Sequence, residues 1–194
     1  MKKLLLIFSL LLAVPAHAET LVVAGGCFWG VEAVFEHVKG VSKAVSGYAG
    51  GSAETANYEQ VSDGNTGHAE SVEITYDPKV VSLNQLLDVY FNVAHDPTQL
   101  NFQGPDRGTQ YRSQVFTSNP EQEKAVKDKI AELTKAKRYS DKIVTKVESL
   151  KAFYPAEDYH QNYLPRNMTS PYIIMHDLPK LAKLRLTYPD LYKP

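Results

Sequence analysis

Cysteine occurs once in the 194 residues, as Cys27 in the stretch "AGGCFWGVE" from Ala24 to Glu32. A thiol at the first turn of a helix lies beside unpaired backbone N–H groups and the positive end of the helix dipole. That setting favours the thiolate and predicts a pKa below the reference of about 8.5. Gly25 and Gly26 carry no side chain, which predicts a sulfur open on its N-terminal side. Phe28 and Trp29 place two large rings next to it, an apolar socket suited to a methyl or other small group. Residue type alone leaves other uses open. A lone cysteine also packs as a small buried hydrophobe, and two rings also build a core. With His68 or His160 as base, Cys27 would be the nucleophile of a cysteine hydrolase. A non-enzymatic, aromatic-lined module for a methylated ligand is a third reading.

The elements that position the thiol are legible from periodicity. Residues 20–24 ("TLVVA") read as a short buried strand, and residues 27–38 as a helix with Val31, Val34, Phe35 and Val38 at helical spacing. Residues 43–47 and 70–76 read as strands, the second alternating Val72, Ile74 and Tyr76. Ser82 caps a helix carrying Leu83, Leu86, Leu87, Tyr90 and Phe91. A strand at 113–117, a helix starting at Pro120 and a strand at 143–149 follow. This order predicts an α+β fold: a two-layer, ferredoxin-like α/β plait with helices on one face of a mainly antiparallel sheet. A doubly wound parallel sheet is the alternative. Two long irregular segments, 48–67 and 95–111, are of a length that in compact domains is usually functional.

Residues 1–18 read as a secretory signal peptide: Lys2 and Lys3, an apolar run from Leu4 to Val14 broken by Ser9, then "AHA". The run is shorter than the roughly 20 residues a membrane span needs. Residues 19–194 then form a single domain, exported to a periplasmic or extracellular space after cleavage near Ala18. Loss of Lys2 and Lys3 takes the formal charge from -1 to about -3, which argues against nucleic acid as a partner. An unpaired thiol in an exported chain is either buried and inert or reactive and placed for use.

"GGCFWG" resembles the active-site signature of the A-type peptide methionine sulfoxide reductases, which reduce the S epimer of methionine sulfoxide. The resemblance continues through "GYAGG", "NYEQV", "GNTGHAESVEITYDP", "HDPTQ", "DRGTQYRS" and "AEDYHQNYL", in family order between Leu21 and Leu164. It implies a thiolate attack by Cys27 on the sulfoxide sulfur. It also implies that Glu70 is the general acid, with a pKa raised enough to stay protonated near neutrality. By the same resemblance Tyr58 and Tyr111 donate hydrogen bonds to the sulfoxide oxygen, Asp106 has an ordering or electrostatic role, and Phe28 and Trp29 receive the S-methyl group. His68 reads as a scaffold residue of the Glu70 loop.

The attack leaves a sulfenic acid that must be reduced. Many relatives carry a resolving cysteine in a flexible C-terminal arm; here no second cysteine is present. The tail "DLPKLAKLRLTYPDLY" instead spaces Leu178, Leu181, Leu184 and Leu186 as a helix flanked by Pro179 and Pro189. The resemblance is therefore to a single-cysteine branch that needs no bound cofactor or metal and depends on an external thiol. That thiol is expected from a thioredoxin-like or glutaredoxin-like protein, or from a low-molecular-weight compound. The substrates expected are oxidised proteins or peptides.

Overall fold

The computed structural model describes residues 18–194, so the signal peptide read at 1–18 lies, but for Ala18, outside the described residues. The chain enters through β1 (Glu19–Ala24), whose last four residues are buried, and turns at Gly25–Gly26 into α1 (Phe28–Glu36). The antiparallel pair β2 (Val41–Ala49) and β3 (Ala69–Tyr76) follows, with the short α2 (Tyr58–Ser62) in the connection. Next come α3 (Leu83–Val89), started by a complete capping box between Ser82 and Gln85, and a π-helical turn Tyr90–Ala94. The two-residue strands β4 (Phe102–Gln103) and β5 (Asp106–Arg107) form a separate small hairpin. After it lie β6 (Gln114–Thr117), α4 (Pro120–Lys135), β7 (Lys146–Ser149), β8 (Phe153–Pro155) and α5 (Tyr163–Arg166). A second π-helical segment, Ile173–Asp177, then runs into α6 (Leu178–Thr187).

The main sheet has six strands in the order β7-β6-β1-β3-β2-β8. All neighbours are antiparallel except β6 and β7. The fold is thus mixed α and β with a mostly antiparallel sheet, and the parallel doubly wound alternative is excluded because β1 runs opposite to both of its neighbours. Strand alternation sorts the side chains. Leu21, Val23, Val72, Ile74 and Val115 join the main core with Val31, Val34 and Phe35 of α1 and Leu86, Leu87, Tyr90 and Phe91 of the α3 region. Val22, Ala24, Ala49, Ala69 and Phe116 form a small second cluster under Leu150 and Phe153.

Several elements differ from their expected bounds: the helix expected over 27–38 ends at Glu36, and the strand expected over 43–47 runs from Val41 to Ala49. The strand expected over 143–149 begins only at Lys146, because the Val144 N–H is bound to the Pro97 carbonyl instead of a sheet partner. The helix expected to carry Tyr90 and Phe91 changes from α to π at Tyr90. In the tail Leu184 is fully buried and Leu178 and Leu181 are half-buried, whereas Leu186 is 82% exposed. The tail packs against α1, the helix that starts at Cys27.

Candidate active site

Cys27 is the N-cap residue of α1, at the corner where the central strand ends. Tyr90, buried, anchors that corner by donating its hydroxyl to the Ala24 carbonyl at 2.7 Å. The two glycines serve a different purpose from the one their size suggested. A Cβ on Gly25 would lie 2.7 Å from Cγ of His95, and one on Gly26, at φ +89°, 2.5 Å from Cγ of Gln103. Their missing side chains admit His95 and Gln103, so they do not open the sulfur. Cys27 is only 8% exposed. The expected lowering of its pKa is also reversed. Burial pushes the thiol well up, Glu70 and Asp177 reinforce this, and the Trp29 N–H and the Lys180 ammonium oppose it. Desolvation disfavours the charged form more than one helix start favours it.

Glu70 projects from β3, 3% exposed, and its Oε2 accepts the Phe28 N–H at 3.0 Å. That bond places the carboxyl at the helix start beside the sulfur. Burial raises its pKa to about 8 against the pull of the N–H, with the charge of Asp106 adding to the rise. At neutral pH the carboxyl therefore holds a proton, and in that state it does not repel a thiolate.

Tyr58 opens α2, a helix capped by Asn57 through the Gln60 N–H, and its own N–H donates to Glu157 at 2.9 Å. Tyr111 closes a 3₁₀ turn, Thr109–Tyr111. Burial and the charge of Glu70 raise both phenols, and the charge of Cys27 bears on both. Two segments far apart in sequence thus supply neutral O–H donors to the neighbourhood of the thiol. Asp106 lies in β5 and accepts the Tyr172 hydroxyl at 2.5 Å.

Phe28 is fully buried and Trp29 half-buried. The Trp29 indole N–H donates to Nδ1 of His160 at 3.1 Å. Its ring stacks on Tyr163, with centroids 3.7 Å apart and planes 8° from parallel, and meets Tyr172 edge-on at 5.9 Å. His68 is tied by its two ring nitrogens to the Gly51 N–H and the Ser52 carbonyl, as a scaffold residue would be. Neither histidine hydrogen-bonds Cys27, so the acid and hydroxyl donors around the sulfur are not arranged as a Cys/His hydrolase pair.

The structure brings Cys27, Phe28, Trp29, Glu70, Tyr58, Tyr111 and Asp106 together. It adds Tyr163, Tyr172, Asp177 and Lys180, and it gives His160 a role as acceptor for Trp29. His160 and Tyr163 sit inside "AEDYHQNYL", so that block contained a signal for them; nothing in the tail's leucine spacing marked Tyr172, Asp177 or Lys180. A groove of about 470 Å³ lined by Glu36, Lys43, Asp158 and Lys193, among others, contains none of the residues around Cys27. Among the described residues there is no group of three His, Cys, Asp or Glu able to hold a metal, and no helix long and apolar enough to cross a membrane.

Comparison with known proteins bears directly on this constellation. The sequence profile of the family described as peptide methionine sulfoxide reductase matches residues 19–190. Peptide methionine sulfoxide reductase MsrA 2 of Mesorhizobium japonicum is 61% identical over 175 residues, covering 90% of each chain. The crystal structure of Mxr1 from Saccharomyces cerevisiae in reduced form superposes with a TM-score of 0.73 at 36% identity, over 81% of this chain and 90% of that one. Mxr1 in complex with Trx2 matches with a TM-score of 0.53 at 28% identity, over 77% and 87% of the two chains.

Proposed function

Because this chain belongs to the peptide methionine sulfoxide reductase family and is an oxidoreductase acting on methionine sulfoxide, we propose that Cys27 takes the oxygen from the S epimer with Glu70 as proton donor. The observation that carries the assignment is the bond between Glu70 and the Phe28 N–H, which sets a buried, protonated carboxyl beside the only thiol.

The Phe28 and Trp29 rings receive the S-methyl group, which aims the sulfoxide sulfur at Cys27. Tyr58 and Tyr111 donate to the sulfoxide oxygen, where negative charge gathers as the sulfur is attacked. Glu70 delivers its proton to that oxygen. The Cys27 sulfur forms a bond to the substrate sulfur as its own proton is lost. The S–O bond of the substrate then breaks and the protonated oxygen leaves as water. That water attacks the Cys27 sulfur, breaks the S–S bond to expel methionine, returns a proton to Glu70 and leaves a Cys27 sulfenic acid. The thiol's two electrons have reduced the sulfoxide, so no other reductant enters this half. Asp106 orders the site by holding the Tyr172 hydroxyl. An unoccupied site discriminates against a thioether because Tyr58, Tyr111 and Glu70 would lose the acceptor they are built for.

With one cysteine in the 194 residues, no second thiol of this chain can resolve the sulfenic acid within it. An external thiol attacks the sulfenic sulfur and releases water. A second thiol then cleaves the mixed disulfide and restores Cys27. A thioredoxin-like donor fits this need, and its support is that Mxr1 has been crystallised bound to Trx2. The export reading stands on residues 1–18, with residues 19–194 as one domain. The order β6-β1-β3-β2 with α1 and α3 as crossovers supports reading the sheet core as a ferredoxin-like plait.

Turnover of S-epimer methionine sulfoxide with dithiothreitol, wild type against Cys27→Ser, tests the assignment. Thiol-dependent methionine from the wild type and none from Cys27→Ser is the expected result. Undiminished product from Cys27→Ser would overturn it.

A further inference from the structure

Trp29 is gripped on three sides by side chains from residues 160–172. Its indole N–H donates to His160 Nδ1 at 3.1 Å, Tyr163 stacks on one face at 3.7 Å, and Tyr172 abuts it edge-on at 5.9 Å. An indole nitrogen can only donate, so Nδ1 of His160 is the acceptor and the neutral ring carries its proton on Nε2. His160 is itself buried and packed between Phe28 at 4.9 Å and Tyr58 at 4.4 Å, the other rings beside the thiol. Tyr172 is held in turn by its hydroxyl bond to Asp106. A half-buried tryptophan next to a reacting centre does not need three restraints merely to be buried. A ring that acts as a rigid wall does.

We propose that His160, Tyr163 and Tyr172 form a clamp that fixes the Trp29 ring as the size-limiting wall of the substrate socket, so that these positioning residues set the preference for an S-methyl over a larger S-alkyl sulfoxide. The proposal rests on the sulfoxide-reductase reading above. Shape discrimination needs a wall that does not yield. One extra methylene is worth at most roughly 10- to 200-fold in such a pocket, and only if the walls cannot relax around it. Tyr163 supplies the largest flat contact. Its hydroxyl makes no hydrogen bond among the described residues, so the ring alone is what the clamp uses.

The test is the ratio of kcat/KM for methionine sulfoxide to that for ethionine sulfoxide, its S-ethyl homologue, with dithiothreitol as reductant. Trp29 is the only tryptophan in the chain and reports directly on the clamp by its fluorescence. The wild type should prefer the methyl compound by roughly tenfold or more. Tyr163→Leu and His160→Ala should each narrow that ratio at least about threefold and shift the tryptophan emission. Tyr163→Phe, which keeps the stack, should retain both the ratio and the emission. His160→Ala carries the same reading should Tyr163→Leu fail to fold.

A wild type that reduces both sulfoxides equally, or variants that lose both activities in step with the ratio unchanged, would overturn the clamp while leaving the sulfoxide-reductase reading intact. A Tyr163→Phe enzyme as relaxed as Tyr163→Leu would overturn it as well. A wild type that reduces neither compound would remove the underlying reading.

Discussion

Two buried glutamates meet the same helix, Glu70 from β3 and Glu32 from within α1, and their surroundings separate the carboxyl proposed to react from a structural one. Glu70 reaches the start of α1, accepts the Phe28 N–H with Oε2, and takes no hydrogen bond on Oε1 from the described residues. Glu32, in the middle of α1 and 1% exposed, has both oxygens engaged: Oε2 with the Ser46 hydroxyl at 3.0 Å and Oε1 with the Asn162 N–H at 3.1 Å. Burial raises both, Glu70 to about 8 and Glu32 to about 7. A raised pKa therefore does not identify the acid. What distinguishes Glu70 is an oxygen without a hydrogen bond from the described residues, on a carboxyl near enough for its charge to act on the Cys27 thiol. Glu32 uses its oxygens to tie β2 and the segment entering α5, which carries His160 and Tyr163.

The widest separation between the two should appear in turnover. Glu70→Gln keeps the shape and the bond to Phe28 but has no proton to give, and its kcat should fall by roughly 10²- to 10⁴-fold with a much smaller change in KM. Glu32→Gln should stay within about threefold of wild type, since Gln can still accept from Asn162 or Ser46. Equal losses in steady-state assays of the two variants would erase the distinction.

A second separation lies in the pH profile. The proposed role of Glu70 as proton donor requires its protonated form, so wild-type kcat should decline as the pH rises past about 8. Glu32→Gln should keep that limb and Glu70→Gln should lose it. A limb that persists in Glu70→Gln would assign the acid elsewhere.

Stability should register both carboxyls with the same sign. A group whose folded pKa lies above its unfolded value stabilises the fold fully below the unfolded value and loses that contribution as the pH rises through the folded one. Glu32 and Glu70 both start from an ordinary 4.5. The thermal midpoint of the wild type should accordingly fall by several degrees as the pH is raised from about 5 to about 9. Glu32→Gln should flatten this slope between about pH 4.5 and 7, and Glu70→Gln should flatten it between about pH 4.5 and 8. Calorimetric scans across that range that show no slope would contradict the buried, neutral state of both groups.

The smallest effect concerns Ser46, which is fully buried and donates to Glu32. Ser46→Ala should cost about 1 kcal/mol in urea unfolding and leave kcat unchanged. A large loss of activity there would mean that Glu32 does more than hold its neighbours.

The contrast also explains what could be read before any coordinates. Val31, Val34 and Phe35 repeat at helical spacing because one face of α1 must meet the sheet, and they are buried as expected, as is Val38 just beyond the end of the helix. The Ser82 cap was equally legible, since a serine before an apolar helix has a local partner three residues on. Local signals of this kind carry their own physics. The glycines before Cys27 misled in the same local way: their size suggested an open sulfur, while the side chains that fill the space, His95 and Gln103, come from about 70 residues further along. The thiol's charge state failed for a related reason. A helix N-terminus is visible in sequence, but the depth to which the tail and β3 bury it is not.

By itself, the sequence determined the one thiol that can serve as the proposed nucleophile, because only one is present in the 194 residues, and the family, because its motifs lie in order along the chain. It also determined which residue types surround the sulfur. The tertiary structure alone decided which glutamate stands at the thiol with a free oxygen and which is spent on hydrogen bonds, since both are carboxyls in buried elements. It also decided that the tail walls the site through Tyr172 and its bond to Asp106, 66 residues away in sequence. Desolvation, hydrogen-bond satisfaction and ring stacking are properties of what meets in space, and sequence spacing records them only when both partners lie on one element.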